Sequence, residues 1–579
     1  MKVKNLLVFL MSAALSSVSV DVLASVEVDG ICYNILSEVG KTVEVAENPA
    51  GYSGDIVIPE QVIIEGESYT VAAIGDYAFE GCRELTSIDI SEGVASIGMR
   101  SFIACSKLTS VDFPTNLKSI GEEAFVSCEN LTSIVVPESA TLIGKKAFRG
   151  CMALTSVVLP DRMALIEDSL FEGCFELSSI TLPSNLLDIG ECAFALCHSL
   201  VSVDIPDGVT SIEASAFQSC SGLASVGLPA NLEYIGNYAF AYCSSLTSVE
   251  IPDNVLFIEE RAFSGCTNLA SVNIPVNLIN MNVFVFEDCT SLASIEIPDT
   301  FYALSNGTFS GCTGLASVSL PDGLHIIDDH AFSGCTALTS IELPASLSEI
   351  GMAAFHGCGL TSIEIPDNVT LIEEGAFQEC GNLASAVLPS GLETLGNFIF
   401  SKCGSLSSIE IPKSVTSIGI YTFFNCGSLA SITIPENVMS IGDNVFTACS
   451  SLAEIRSKNP TPPEVSEYTF EDYHYTDCVL TVPEGAIGNY GTAAVWCNFV
   501  NMNENDFSGI GEVLDSEKAV KVVADNGRIM VYGAVENQVV EVYSTAGQVV
   551  YRGFGSIVEG LSEGIYIVAV GGRSYKVAL

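Results

Sequence analysis

Carboxylate side chains recur at one position of a repeated pattern, two residues after a recurring serine. Rows of carboxylates and hydroxyls on one surface can bind cationic groups of a protein ligand or, where several oxygens converge, a hard cation such as calcium. The sequence has no Asp-x-Asp-x-Asp-Gly loop of a high-affinity calcium site, so we predict no metal ion and no other cofactor. The candidate ligand-facing residues are Asp204, Glu250, Glu296, Glu342, Glu364, Glu410, Ser248, Ser294 and Ser340.

The spacing of the acids along this row follows an electrostatic pattern. Between Asp204 and Glu342 the acidic positions alternate with Gly227, Asn273 and Ser319. Like charges directly opposite each other destabilise a sheet, and skipping one strand doubles their separation to roughly 10 Å, beyond a Debye length of about 8 Å. Two interpretations stay open: the acidic row binds a ligand, or it only keeps an exposed sheet soluble.

Residue types that support catalysis are present but are not grouped. No serine or cysteine has a histidine and an acid placed around it, and no glycine-rich phosphate loop precedes a helix. The sequence therefore predicts that the protein is not an enzyme. The five histidines occupy different positions of the repeat, form no metal-spaced cluster and are predicted to be surface substitutions: His198, His325, His330, His356 and His474.

A repeat of 23 residues must position all of these side chains. A phenylalanine recurs at this step from Phe79 to Phe446, with one residue lost between Cys358 and Leu360. A strict period of this length is typical of a solenoid, in which each unit is stable only against its neighbours. We predict seventeen full units.

The pattern within a unit predicts where its side chains point. In the segment 246–252, Val249 and Ile251 alternate with Ser248 and Glu250, which is the period of a strand, and a proline closes that strand. A second short extended piece leads to a tight turn. The Ala-Phe-x-x-Cys-x-x-Leu piece has helix-like apolar spacing, so we expect a short helical turn on the outer side.

Seventeen of the 21 cysteines sit three residues after the repeat phenylalanine and form one column along the stack. Neighbouring parallel strands lie about 4.8 Å apart, a poor match to disulfide Cβ–Cβ distances near 3.8 Å. The sequence thus predicts buried free thiols that fill the core as small apolar groups. Cys32, Cys192, Cys478 and Cys497 fall off the column, and the last two are candidates for a pair.

The ends of the chain differ from the repeat. Residues 1–24 have the lysines, the apolar run and the small-residue site of a signal peptide. We then expect an N-terminal cap at 25–70, the array at 71–456, a C-terminal cap at 457–500, a linker at 501–516 and an all-β sandwich at 517–579. The two irregular end segments favour a monomer over end-to-end stacking.

The chain is strongly acidic, with a formal net charge of −48. Residues 517–579 carry six basic and six acidic residues, so the whole excess of negative charge lies in the residues before them. Such a field repels nucleic acid and anionic membranes and favours cationic partners. Beyond residues 1–24 no apolar stretch is long enough to span a bilayer, so we expect no transmembrane segment in the mature chain.

The unit Ile-Gly-x-x-Ala-Phe-x-Gly-Cys-x-x-Leu-Thr-Ser-Ile-x-Ile-Pro-x-x-Val resembles the BspA-like leucine-rich repeats of bacterial surface proteins. This resemblance implies a right-handed, curved leucine-rich-repeat solenoid with its parallel β-sheet on the concave face. It also implies an adhesin-like role toward host matrix proteins or other cells.

The C-terminal tail resembles the sorting domain that the type IX secretion system of Bacteroidetes recognises. The resemblance is carried by the segments at 526–529, 542–547, 561–568 and 575–579. It implies export across the outer membrane by the secretion machinery, with attachment or release at the surface; a plain sandwich module is the alternative.

Together these observations predict a secreted or cell-surface binding protein for an extracellular protein or glycoprotein. The alternative is a structural envelope protein without a specific ligand. A carbohydrate-binding protein is a third possibility, but the strand columns lack the aromatic platforms that glycan sites use.

Overall fold

A computed structural model describes residues 25–505, 507, 521–525, 528–532, 540–544, 548–553, 557–558, 561, 565–570 and 573–578. These residues divide into two compact units, one on either side of the boundary after Asn505. The predicted signal peptide, residues 1–24, and most of the predicted linker lie outside the described residues.

The first unit is a parallel β-solenoid of about nineteen turns of roughly 23 residues. Each regular turn contributes a first strand, which carries the serine and acid columns, and a second, shorter strand. The first strands are Gly54–Ile58, Leu85–Ile90, Ser110–Asp112, Ser133–Val135, Ser156–Val158, Ser202–Asp204, Ser225–Gly227, Ser248–Val249, Ser271–Val272, Ser294–Glu296, Ser317–Ser319, Ser362–Glu364, Ser385–Val387, Ser431–Ile434, Glu454–Ser457, Val479–Pro483 and Asn501–Asn505.

The second strands form their own parallel ladders, and most of them have two residues, one outward and one inward. In the pair Tyr234–Phe257, for example, Ile235 and Ile258 point into the core. These strands are Glu67–Ile74, Ser96–Ile97, Ser119–Ile120, Leu142–Ile143, Leu165–Ile166, Asp188–Ile189, Ser211–Ile212, Tyr234–Ile235, Phe257–Ile258, Asn280–Met281, Ala303–Leu304, Ile326–Ile327, Glu349–Ile350, Leu371–Ile372, Thr394–Leu395, Ser417–Ile418 and Ser440–Ile441.

The outer side of each unit is a run of tight turns. Around Phe240, the N–H groups of Ala241 and Cys243 donate to the carbonyl oxygens three residues earlier, at 3.0 and 3.2 Å. This is the spacing of the predicted helical turn. However, Tyr238 and Tyr242 have φ of 56° and 60°, and such left-handed residues stop any helix from continuing.

One unit lacks a residue between Cys358 and Leu360, where Gly359 alone connects the two. A Cβ at this position would lie 2.1 Å from the carbonyl oxygen of Thr336, so only glycine fits without a shift of the backbone. The second-strand ladder continues past it, with Glu349 paired to Leu371. The deletion is therefore absorbed in the outer turn and leaves the strand columns in register.

Phenylalanine rings form the centre of the core. Successive rings from Phe79 to Phe470 are stacked, with centroids 4.8 to 6.2 Å apart. Tyr52 covers the N-terminal end of this column and Trp496 packs edge-on against Phe470 at the other end. The period of 23 residues therefore corresponds to one ring per rung.

The column cysteines are buried free thiols, which confirms the prediction, and they also donate hydrogen bonds. From Cys105 to Cys449, sixteen Sγ atoms lie 3.1 to 3.4 Å from the carbonyl oxygen of the phenylalanine one unit earlier. The suggested pair is wrong: Cys478 is buried with its Sγ 2.8 Å from the oxygen of Leu452, whereas Cys497 is an exposed free thiol.

Irregular strands cover the N-terminal end of the solenoid. Val26–Val28, Ile31–Ser37 and Thr42–Val45 form a meander whose last strand pairs in parallel with Glu67–Ile74. Gln61–Ile64 pairs antiparallel with that same strand. The open end of the second-strand sheet is thus paired with other backbone.

At the C-terminal end the first-strand sheet continues beyond the repeat. Val479–Pro483 forms a further strand, and Asn501–Asn505 pairs with it in parallel, so the linker does not begin at residue 501. The polar composition of Asn501–Asn505 concealed this strand. The helices Asp472–Asp477 and Ile487–Tyr490 and the 3-10 helix Trp496–Asn498 complete this end.

The described residues of the second unit form two antiparallel sheets, in agreement with the predicted all-β module. One holds Lys521–Asp525, Arg528–Tyr532 and Ile557–Val558, and the other holds Val540–Ser544, Val549–Gly553, Ile565–Val570 and Arg573–Ala578.

Candidate ligand-facing surface

The candidate ligand-facing residues lie on the exposed side of the first strands, which we call the first-strand face. Val249 and Ile251 are buried beneath it, whereas all nine candidate side chains are exposed. Asp204, Ser248, Ser294, Glu296 and Glu364 lie within strands, Glu250 directly follows one, Glu410 forms a single bridge with Thr433, and Ser340 and Glu342 lie in a unit without an assigned first strand.

Three rung pairs place candidate acids beside uncharged residues, which avoids like charges directly opposite each other there. Nearer the N-terminus, however, Asp89 and Asp112 are rung partners. Glu342 and Glu364, in consecutive units, depart from the alternation. The observed rung partners are Asp204 with Gly227, Glu296 with Ser319 and Glu364 with Val387.

Asn273 links two rungs between the acids at 250 and 296. Its side-chain amide donates to the carbonyl oxygen of Ile251 at 2.7 Å, and its Oδ1 accepts the N–H of the same residue at 2.7 Å. The side chain therefore acts as an extra backbone-like pair in the ladder. This holds the strand that precedes it rigid next to the carboxylate of Glu250.

The six candidate carboxylates have no partner among the residues that the structure describes. Within the described residues, none of them accepts a hydrogen bond or forms an ion pair, and neither do the three serine hydroxyls. Asp55, at the N-terminal end of the same face, differs: the hydroxyls of Ser87 and Thr86 donate to it at 2.6 and 2.7 Å and lower its pKa. The candidate side chains are instead available to a ligand.

Exposed valines divide the first-strand face, a feature that the sequence analysis missed. Val135 and Val158 are rung partners in the acid column and are 61% and 54% exposed. Val387 is 57% exposed between acidic positions nearer the C-terminus. The face thus combines carboxylates and hydroxyls with local apolar contacts.

Basic residues are almost absent from the middle of the solenoid. Residues 163–401 contain 29 acidic residues and a single basic one, Arg261. Arg261 lies on the outer side, where Glu260 and Glu287 bind it at 2.5 and 3.0 Å and its guanidinium packs over the ring of Phe284. The field over the central first-strand face is therefore negative and uncompensated.

The histidines are dispersed, and one prediction about them is wrong. His325 stacks on Tyr302, and His356 lies 3.8 Å from Glu379. His474, predicted at the surface, is fully buried in the C-terminal end, because it caps the start of a helix that the repeat pattern does not describe. Within the described ranges, no three His, Cys, Asp or Glu side chains could hold a metal ion together.

These parallel units, with a leucine, phenylalanine and cysteine core and an exposed strand face, define a leucine-rich-repeat protein. Four overlapping ranges, 61–175, 141–258, 234–360 and 348–477, each match the family described as BspA type Leucine rich repeat region (6 copies). These matches span most of the chain, and the protein belongs to this family.

Several solved structures are similar to this chain. A leucine-rich repeat protein from Bacteroides ovatus ATCC 8483 is 27% identical, with 75% of this chain and 99% of that chain covered and a TM-score of 0.47. A leucine rich cell surface protein from Faecalibacterium prausnitzii A2-165 is 26% identical, with 75% and 94% covered and a TM-score of 0.33. The T. pallidum leucine-rich repeat protein is 28% identical, with 38% and 90% covered and a TM-score of 0.29.

No curated protein matches the chain. Across the part of the chain that the structure describes, no helix combines the length and the apolar character needed to cross a bilayer.

Proposed function

We propose that the protein binds an extracellular protein or glycoprotein through its first-strand face and serves as an adhesin. The observation that carries this proposal is the set of exposed carboxylates and hydroxyls that have no partner among the described residues. Because the strands that hold them are already ordered, binding costs little conformational entropy. Basic side chains of the partner would supply the missing counter-charges.

In the alternative of a structural envelope protein, the first-strand face would only keep the protein soluble. Its composition is better suited to binding. Val135, Val158 and Val387 are more than half exposed on it. Apolar side chains at these positions add nothing to solubility, whereas they supply contact area in an interface with a polar rim. This observation favours a ligand.

Display outside the cell is part of the same proposal. The BspA type family supports a surface location, and residues 1–24 and 517–579 would act as the export signals. Deletion of residues 517–579 in the native bacterium tests the role of the tail. We expect the truncated protein to remain inside the outer membrane; normal surface display of it would contradict a sorting function.

Binding to a panel tests the adhesin proposal. The full mature chain is applied to immobilised matrix glycoproteins and polysaccharides at about 0.02 M and about 0.15 M salt, between which electrostatic attraction changes strongly. We expect the chain to remain monomeric and to bind a matrix protein saturably. This binding should weaken at the higher salt. Absence of saturable binding across a broad panel would favour the structural alternative.

A further inference from the structure

Apolar side chains are also exposed along the second strands, and unlike the valines of the first-strand face they include aromatic rings. The apolar stripe, as we call it, consists of the outward strand residues Tyr234, Phe257 and Ile326 and of three residues that directly precede second strands, Leu256, Ile279 and Tyr302. Ile279 is 69% and Tyr302 60% exposed. The expectation that no strand column carries aromatic residues therefore holds only for the first strands.

The members of the apolar stripe follow one another from unit to unit. Tyr234 and Phe257 are rung partners, the N–H of Ile279 donates to the carbonyl oxygen of Leu256 at 2.9 Å, and the N–H of Ile326 donates to the carbonyl oxygen of Tyr302 at 3.4 Å. Its members occupy five consecutive units, so the stripe is roughly 20 Å long at about 4.8 Å per rung.

A shallow groove runs beside the N-terminal half of the stripe. It has a volume of about 430 Å³ and is lined by Gly208, Thr210, Asn231, Glu233, Asn254 and Leu256. Since Leu256 belongs to both features, the groove and the stripe form one surface. A ligand that contacts the stripe can therefore also place side chains in the polar groove next to it.

Carboxylates border the stripe on both sides. One row follows the prolines that close the first strands and has no ion pair among the described residues: Asp207, Asp253, Asp299 and Asp322. On the other side lie Glu213, Glu259 and Asp328. Burial, followed by the charges of Glu259 and Glu213, raises the pKa of Tyr234, which places these two carboxylates close to the stripe.

We propose that the apolar stripe docks an amphipathic, cationic polypeptide segment of a partner protein. The apolar side chains of the segment would cover Ile279 and Tyr302, and its lysines and arginines would meet the two carboxylate rows. Charge complementarity selects this occupant, because residues 163–401 contain only one basic residue, and it already has acidic partners. The stripe has the length of almost four turns of a helix, about 5.4 Å each. The apolar stripe is a second binding surface, and docking on it does not require a ligand on the first-strand face.

A synthetic helical peptide tests the proposal. The probe has about 18 residues, with leucines on one face and lysines on the other, and the control peptide has the same composition in scrambled order. Titration of both peptides into the full mature chain is followed by calorimetry. We expect the amphipathic peptide to bind at least about tenfold more tightly than its scrambled control.

Three variants locate the binding surface. I279S/Y302S should weaken peptide binding about tenfold, and D253N/D299N should weaken it severalfold at low salt, because both alter exposed side chains of the stripe and its border. E250S/E296S/E342S, on the first-strand face, should leave peptide binding unchanged. Because this last variant alters only the first-strand face, it distinguishes a failure of the docking proposal from a failure of the adhesin proposal.

Three results would overturn the inference. Equal affinity for the two peptides would show attraction by net charge only. Unchanged binding to I279S/Y302S would place the peptide elsewhere. Self-association of the unmodified chain in sedimentation, lost in I279S/Y302S, would identify a second copy of the chain as the occupant.

Discussion

The Sγ atom of Cys220 donates a hydrogen bond to the carbonyl oxygen of Phe194, at 3.1 Å, across the boundary between two units. The same oxygen accepts the N–H of Cys197 at 3.2 Å. A carbonyl oxygen has two lone pairs, so the thiol occupies the second acceptor position. The column cysteines thus join neighbouring units in addition to filling the core.

Two substitutions of Cys220 separate these roles. C220A removes both the volume and the donor and should lower the free energy of unfolding by about 1–2 kcal/mol. C220S keeps a donor and should be less destabilising than C220A by about 0.5 kcal/mol or more. Denaturant midpoints followed by circular dichroism measure both. A greater loss for C220S than for C220A would show that only apolar packing matters.

Native thiol reactivity should be confined to Cys497. Burial raises the pKa of Cys151, Cys220 and Cys266 to about 12, so these groups stay protonated and enclosed at neutral pH. Mass spectrometry after brief alkylation should show one rapid label, and denaturation should expose all 21 sites. The C497S variant serves as the control and should take up no rapid label. Protection of Cys497 in the unmodified protein would contradict its exposure as a free thiol.

The phenylalanine column should be the most sensitive part of the core. F217A removes a fully buried ring that is stacked on both sides, at 5.2 and 5.3 Å, and should cost about 3–5 kcal/mol locally. F175A is the matched control, because Phe175 is half-buried and stacks only on His198, at 5.0 Å. Hydrogen exchange should rise around residues 194–240 in F217A alone. Similar exchange in both variants would contradict a structural column.

The C-terminal end should loosen on acidification. The N–H of Glu471 donates to Nδ1 of buried His474, at 3.1 Å, so its Nε2 carries the proton and faces the carbonyl oxygen of Cys449. Burial lowers the pKa of His474. The unfolded state therefore binds the proton first as pH falls, and the stability contributed by neutral His474 is full above about pH 6.5 and is lost below it.

Fluorescence of the sole tryptophan, Trp496, reports on this end, because it is buried and its indole N–H donates to Pro463 at 2.9 Å. Between about pH 7.5 and about pH 5, its denaturant midpoint should fall. The H474Q variant should begin at a lower midpoint and show a weaker pH dependence. An identical pH dependence in both proteins would assign the effect to other groups.

The regular part of the fold could be predicted because each unit repeats the same local information. The step between Phe79 and Phe102 predicts the stacked units of a solenoid, and the proline at 252 predicts where a strand ends. The contact of Cys220 with Phe194 could not be predicted, since it crosses a unit boundary at a separation that no local pattern marks. His474 and Asn501–Asn505 lie outside the repeat, where no neighbouring copy could guide the prediction.

The surfaces were only partly predictable. Alternation over the first strand assigned Ser248 and Glu250 to the exposed side. The second strands of the regular units have two residues each, too few for alternation to distinguish an outward Phe257 from an inward Ile258. The apolar stripe therefore became visible only in the structure.

The most direct test of the adhesin proposal compares two variants that remove the same charge. E250S/E296S/E342S alters the first-strand face, and E80S/E129S/E176S removes three exposed acids from the outer turns. Affinity for the matrix protein selected from the panel is measured for both at about 0.15 M salt. We predict at least about tenfold weaker binding for the first variant and less than about twofold change for the second. Equal losses, or unchanged binding to the first variant, would contradict a ligand site on the first-strand face.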